Sequence, residues 1–200
     1  MRLNLALMAR VPQLGKVKTR LAATLGDQTA LHAHCTLLKH VAKQLHAWPG
    51  SLTLWATPSA EHPLFEQLFP TAQRSLQPQG DLGERLMHAV DSGLQQADGV
   101  VLLGADAASV TPALLLQAAQ ALLTHDVVMA PAEDGGYILL GVKQCVPSLF
   151  QQITWGGEAV AQQTRQAIVK QGLTLWESEP QWDVDTPEDW SRFLQNFQPN

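Results

Sequence analysis

The stretch "GVVLLGADAASVTPALLLQAAQALLT", Gly99 to Thr124, decides the fold. Its first part, "GVVLLGA", is apolar without alternation, as expected of a strand buried on both faces. Asp106 follows at once. Pro112 then opens a helical run, with Thr111 placed to cap it. A doubly buried strand feeding a helix is the repeating unit of an α/β sheet covered on both sides.

The same alternation extends in both directions. Toward the N-terminus, "LNLALMA" and "SLTLWAT" read as strands and "TAQRSLQ" as a short one. "LHAHCTLLKHVAKQLHA" reads as a helix with Leu38, Val41, Ala42 and Leu45 on one face. "AEHPLFEQLF" is expected to be a short helix broken near Pro63. "GERLMHAVDSGLQQA" is amphipathic, with Leu86, Val90, Gly93, Leu94 and Ala97 on one side. Toward the C-terminus, "DVVMAPA", "GYILLGV" and "LTLWES" are strands. "EAVAQQTRQAIVKQG" is a helix ended by Gly172 and "PEDWSRFLQNF" a last helix. The expectation is a single α/β domain over residues 1–200, with a mainly parallel sheet. Its ligands would sit outside the carboxyl ends of the strands.

Composition narrows the function. The chain has 200 residues, 46% hydrophobic, and a formal net charge of -5. An acidic balance of this kind argues against a nucleic-acid partner, which calls for a broad basic footprint. No apolar run is long enough to span a bilayer, so no membrane partner is expected. Cys35 and Cys145 are the only cysteines and show no CxxC spacing, which fits a reduced, cytoplasmic setting. Cys35 reads as a packed residue. The chain has no HExxH, no GxSxG and no GxGxxG after the first strand, against a zinc protease, an α/β-hydrolase and a nicotinamide enzyme. His32 and His34 are two apart and do not face each other on a helix; both are expected at the surface.

Four post-strand loops and one hairpin carry unusual residues. "LMARVPQLGKVKTRLAATLG", Leu7 to Gly26, gathers Lys16, Lys18 and Arg20 near Gly15. Such a cluster either meets phosphate oxygens or forms a solvated basic loop. "QGDLGERL", Gln79 to Leu86, sets Gly80, Asp81 and Gly83 at a helix start. It reads as close backbone approach to a ligand or as an ordinary turn. Asp106, after the central strand, is placed to hold Mg²⁺ or Mn²⁺ under a diphosphate, or to cap a helix. In "WDVDTPEDW", Asp183 and Asp185 point the same way on extended chain and repel unless a cation or proton lies between them. Thr186 to Asp189 also resembles a capping box with Asp in place of Glu. In the hairpin "PAEDGGYILLG", Glu133 or Asp134 can take a proton from an acceptor hydroxyl; a plain hairpin turn explains them nearly as well. Trp155, in "ITWGGEAV", lines a site or packs.

Taken in order, "ARVPQLGKVKTRL", "QGDLGERL", "LLGAD", "PAEDGGYILLG", "LFQQITWGGEAV" and "DVDTPEDW" resemble the nucleotide-diphospho-sugar transferase-like family with the glycosyltransferase-A fold. That family includes glycosyltransferases associated with arsenosugar biosynthesis. More distantly, the chain is similar to the molybdenum-cofactor and phospholactate nucleotidyltransferases. The family's first loop typically reads Lys-Ala-Pro-x-Pro-Gly-Lys/Arg-Val-Lys-Thr-Arg-Leu. Here Pro12, Gly15, Lys16, Val17, Lys18, Thr19, Arg20 and Leu21 fit, with Arg10 for the usual Lys and Leu14 for the second Pro. Where the family shows Gly-Ser-Asp-Cys-Pro, this chain has Gly104-Ala105-Asp106-Ala107-Ala108, which keeps the Asp.

The resemblance implies a single α/β/α domain of glycosyltransferase-A type, with a mixed, Rossmann-like sheet, and a cation-dependent transferase. The implied partners are a nucleotide-diphosphate sugar and a small-molecule acceptor. Arg10, Gly15, Lys16, Lys18, Arg20, Gly80, Asp81 and Gly83 would bind the nucleotide and its diphosphate. Asp106, Asp185 and Asp183 would hold Mg²⁺ or Mn²⁺. Glu133 and Asp134 would be catalytic. Gly135, Gly136, Tyr137 and Trp155 would face the acceptor. A nucleotidyltransferase releasing pyrophosphate, or a non-catalytic nucleotide-binding protein, would use the same loops.

Overall fold

The computed structural model describes residues 1–197. Seven strands form one sheet in the order β3-β2-β1-β4-β6-β5-β7. They are β1 (Leu3–Arg10), β2 (Ser51–Thr57), β3 (Gln73–Leu76), β4 (Gly99–Gly104), β5 (Val127–Pro131), β6 (Tyr137–Val142) and β7 (Leu175–Glu177). The helices are α1 (Thr19–Leu25), α2 (Asp27–Gln44), α3 (Pro63–Leu68), α4 (Leu82–Leu94), α5 (Pro112–Thr124), α6 (Val160–Lys170) and α7 (Pro187–Phe197). β1 pairs in parallel with β2 and β4, β2 with β3, and β5 with β7. β6 alone runs antiparallel, between β4 and β5. The sheet is thus mixed and mainly parallel, with helices on both faces.

The apolar strands divide their side chains between two cores. Leu5, Leu7, Leu54, Val101, Leu103 and Val128 pack on one face with Leu38 and Val41 of α2 and Leu115 and Leu122 of α5. Ala6, Trp55, Val100, Leu102, Met129 and Leu140 pack on the other with Leu86 and Val90 of α4 and Ile168 of α6. Each fully buried Leu or Val contributes about 1.5–3 kcal/mol against solvent exposure. A third cluster joins α1, α2 and α7 through Leu21, Leu37, Trp190 and Phe193. Among the described residues no helix is long and apolar enough to cross a membrane.

Two local expectations are corrected, and one helix was not foreseen. The chain after the basic loop forms α1, with Lys18 at its N-cap and no side-chain cap bond. The capping-type residue there, Thr19, is already the first helical residue, so no cap precedes the helix to mark its start. Pro63 does not break α3 but begins it, in the first turn, where its missing N–H is not needed. His34 is buried rather than exposed; its Nε2 lies 2.8 Å from the Arg10 carbonyl oxygen. It falls four residues before Leu38, on the helix face that packs inward. Burial, opposed by that carbonyl, lowers its pKa. His32 is exposed.

The topology also creates the site. From β1 the chain winds outward to β2 and β3, then returns to place β4 on the other side of β1. The crevice beyond the carboxyl ends of β1 and β4 is therefore a switch point, where open α/β sheets bind ligands. Because β6 runs antiparallel to β4, its first residue, Tyr137, comes to that same edge.

Candidate functional site

A cavity of about 710 Å³ lies at this switch point. Arg10, Lys16, Lys18 and Arg20 line it from the loop after β1, Asp106 from the loop after β4, and Asp185 from the segment before α7. Asp134, Gly136 and Tyr137 reach it from the β5–β6 hairpin, and Trp155 from the loop before α6.

Residues 182–185 arrive there because they run beside the loop after β4. Ser109 bonds Trp182 through both its N–H and its hydroxyl, and the Val184 N–H donates to the Asp106 carbonyl. Val184 is buried, so the alternation of extended chain leaves Asp183 and Asp185 half-buried on the other side. The Thr186 hydroxyl accepts from the Asp189 N–H, and the Asp189 carboxylate accepts from the N–H groups of Asp185 and Thr186. The cap expected from sequence therefore fixes the segment while leaving its carboxylates free of capping work.

Lys18 holds the centre. Its Nζ donates to Asp106 Oδ2 at 2.7 Å and to the Val184 carbonyl oxygen at 2.5 Å. Its side chain is 7% exposed. The backbone is left-handed, φ 46° and ψ 50°, which costs a non-glycine residue roughly 1–2 kcal/mol. Lys18 is the buried partner of this ion pair; the Asp106 side chain is 42% exposed. Burial alone would lower the Lys18 pKa, but Asp106, with Asp185 and Asp183, holds it above the usual value. Likewise burial would raise Asp106, and the adjacent ammonium outweighs it. Lys18 thus lines the cavity paired with Asp106. Arg10 and Lys16 are exposed at the cavity and carry no ion pair among the described residues. Arg20 pairs with Asp185 at 2.6 Å and stays mostly exposed.

Asp183 differs from its neighbours. Among the described residues its carboxylate has no hydrogen bond and no ion pair. Burial first, then the like charge of Asp106, pushes it up to about 7. A partly buried carboxylate beside another, short of positive charge, suits a hard cation that would complete its shell with phosphate oxygens. Asp106 faces Lys18 and Asp185 faces Arg20, so Asp183 is the one of the three with no ion pair among the described residues. Among the described residues no group of three or more His, Cys, Asp or Glu converges.

Several expected residues stand outside the cavity. Glu133 makes a two-point ion pair with Arg192, at 2.7 and 3.1 Å, which lowers its pKa and turns it away from the site. Asp134 remains on the cavity wall, its Oδ1 accepting from the Gly136 N–H. Asp81 and Glu84 form the capping box of α4, so the turn reading of "QGDLGERL" accounts for Gly80 and Asp81. Gly83 and Gly135 serve close packing. A Cβ at Gly83 would lie 2.2 Å from the Phe150 carbonyl oxygen, and one at Gly135 2.0 Å from that of Glu158. Gly15 turns toward Asp27.

Sequence reading passed over two cavity residues. Gln77 is buried just after β3, and its Nε2 donates to the carbonyls of Ala9 and Trp55. Arg85, on the first turns of α4, carries no side-chain bond among the described residues, and its Nε is wholly buried. Arg85 lies four residues after the capping Asp81, in a helix start whose cap already accounted for the motif. Ala107 and Ala108, the departures from the family loop, are fully buried.

A family model described as "uncharacterized protein conserved in bacteria" (DUF2064) matches residues 38–157, and the chain belongs to that family. A provisionally named nucleotide-diphospho-sugar transferase of Desulfovibrio desulfuricans G20 is 29% identical. The match covers 99% of this chain and 90% of that one, with a TM-score of 0.87. Rv0371c of Mycobacterium tuberculosis H37Rv, solved in complex with manganese, is 16% identical over 98% of this chain and 100% of its own, with a TM-score of 0.61. A CMP:2-keto-3-deoxy-manno-octonic acid synthetase complexed with CTP is 12% identical over 96% of each chain, with a TM-score of 0.56. The last two likenesses are of fold. A search of curated proteins finds no match.

Proposed function

We propose that the chain is a nucleotide-using transferase, and that its donor is a nucleotide-diphosphate sugar. The observation that carries this reading is the convergence in one cavity of the cations of the 10–20 loop with Asp106 and Asp185. The likeness to the Desulfovibrio protein supports the donor class. The arsenosugar-associated enzymes are the narrower form of the same reading.

In this reading Arg10, Lys16 and Arg20 bind the diphosphate, the arginines by forked hydrogen bonds and Lys16 as a point charge. Lys18 positions Asp106 rather than touching phosphate. Asp106 and Asp183 would hold Mg²⁺ or Mn²⁺, which would neutralise charge on the departing diphosphate. Asp134 takes the proton of the acceptor hydroxyl as the sugar–phosphate bond breaks and the acceptor–sugar bond forms. Tyr137 and Trp155 wall the acceptor side.

A thermal-shift screen of nucleotides and nucleotide sugars, with and without Mn²⁺, tests the reading, because ligands of the folded state raise its apparent stability. Turnover assays on the binders then separate the outcomes. Release of a nucleoside diphosphate supports glycosyl transfer. Release of pyrophosphate from a nucleoside triphosphate replaces it with nucleotidyl transfer, and binding without turnover replaces it with a binding protein.

A further inference from the structure

The cavity has a second, differently built end. Its floor beyond the strand edge is made by the start of α4, the start of β6 and the loop before α6. Trp155 ties these together: its ring stands edge-on to Tyr137, with centroids 6.3 Å apart, and its Nε1 lies against Gly83. Two polar groups there have no partner. Arg85 Nε and the Tyr137 hydroxyl are both out of contact with solvent and unbonded among the described residues. Elsewhere in the cavity the buried polar groups are matched: Lys18 by Asp106, Gln77 by two carbonyls, His34 by the Arg10 carbonyl.

Buried donors left unpaired in a folded protein are costly, and two of them lining one cavity call for an acceptor supplied from outside. Asp134 lines the same cavity but accepts from its own hairpin, at the Gly136 N–H, and makes no bond to Arg85. Burial raises the Tyr137 pKa, so its hydroxyl stays a donor. A guanidinium N–H and a phenol O–H both donate, and an oxyanion can accept from both. We propose that Arg85 and Tyr137 form an oxyanion subsite on the acceptor side of the cavity, so that the acceptor carries a phosphate or carboxylate group. This rests on the reading that the nucleotide phosphates lie against the 10–20 loop. It narrows the acceptor from any small molecule with a hydroxyl to an anionic one.

The Nε–Hε resonance of Arg85 reports the subsite directly. In the ¹⁵N-labelled full chain it is assigned by its loss in Arg85→Lys, whose backbone spectrum also shows that the variant folds. Methyl phosphate and acetate are titrated separately, to tell a phosphate from a carboxylate reader; ADP, GDP, CDP and UDP are titrated with diamagnetic Mg²⁺ to follow the nucleotide site. At least one of the two small anions should move the Arg85 signal saturably. Its affinity should fall at least about tenfold in Arg85→Lys, where the charge is kept but the forked donor is lost. A smaller fall is expected in Tyr137→Phe and none in Arg20→Ala. If neither anion moves the Arg85 signal, the proposal is wrong. It is also wrong if anion binding survives in Arg85→Lys and disappears in Arg20→Ala, which would put the anion on the first loop. If no nucleoside diphosphate binds while the anion still moves the Arg85 signal, the subsite stands and the nucleotide reading fails.

Discussion

Lys18–Asp106 and Arg192–Glu133 are ion pairs of the same length, 2.7 Å, each joining residues far apart in sequence. Their surroundings make them different objects. Lys18 is 7% exposed, held in a left-handed backbone, and surrounded by three carboxylates of which it meets only one at contact distance. Arg192 and Glu133 are 42% and 52% exposed, and Arg192 lies over the Trp182 ring at 4.2 Å. The first pair sits inside a pocket that Arg10, Lys16, Arg20 and Arg85 also line. The second closes a surface, and water already solvates both partners. Distance alone cannot rank the two; desolvation does.

The largest expected effect follows from removing Lys18. Lys18→Ala strips the buried partner from Asp106 and keeps the left-handed strain, so stability should fall by about 2–3 kcal/mol. That is below the usual cost of breaking a fully buried pair because Asp106 retains access to water. Chemical denaturation measures it. A loss like that of a surface pair would erase the contrast between the two. Arg20→Ala comes next and acts on binding. Losing one charge-assisted contact should weaken nucleoside-diphosphate affinity by roughly 1.5–3 kcal/mol, with stability nearly unchanged since Arg20 is largely exposed. Calorimetric titration of the folded variant checks it, and unchanged affinity would remove Arg20 from the site.

The smallest effect is expected at Glu133. Glu133→Gln keeps the Arg192–Trp182 stack and should cost at most about 1 kcal/mol. The sign follows from the lowered Glu133 pKa: the contribution is present above the ordinary glutamate value and is lost as pH falls through the folded-state value. The difference between Glu133→Gln and the parent should therefore vanish in acid and shrink in salt. Ligand binding should be retained; its loss would return Glu133 to the site.

The same contrast explains what could be read from sequence. Alternating apolar runs and helices made the α/β class and the mainly parallel sheet legible, because burial on both faces leaves an unbroken pattern. Post-strand loops then pointed to one edge of the sheet, and Arg10, Lys16, Lys18, Arg20, Asp106, Asp134, Asp185, Tyr137 and Trp155 share a cavity there. What stayed illegible is how charges divide among themselves. "ED" at Glu133–Asp134 gives no hint that Arg192, on the last helix, captures the first and leaves the second. "KVKTRL" does not tell that Lys18 turns inward while Arg20 stays out; the left-handed residue that decides it is set by tertiary contacts. "DVD" fixes that Asp183 and Asp185 share a side, but only the opposing Arg20 shows which of them is already matched. Arg85 was hidden by a helix start that explained its neighbours completely.

In the proposed function Asp106 and Asp183 would hold a divalent ion that would neutralise charge on the phosphates of a bound nucleotide. Calorimetry with a nucleoside diphosphate, with and without Mn²⁺, on the parent and on Asp106→Asn, Asp183→Asn and Asp185→Asn tests it most directly. Mn²⁺ should tighten binding to the parent. That enhancement should disappear in Asp106→Asn and in Asp183→Asn, with the double variant little worse than either, since groups acting on one ion are not additive. Asp185→Asn should keep most of it. Full Mn²⁺ enhancement in Asp106→Asn would contradict the account at its centre.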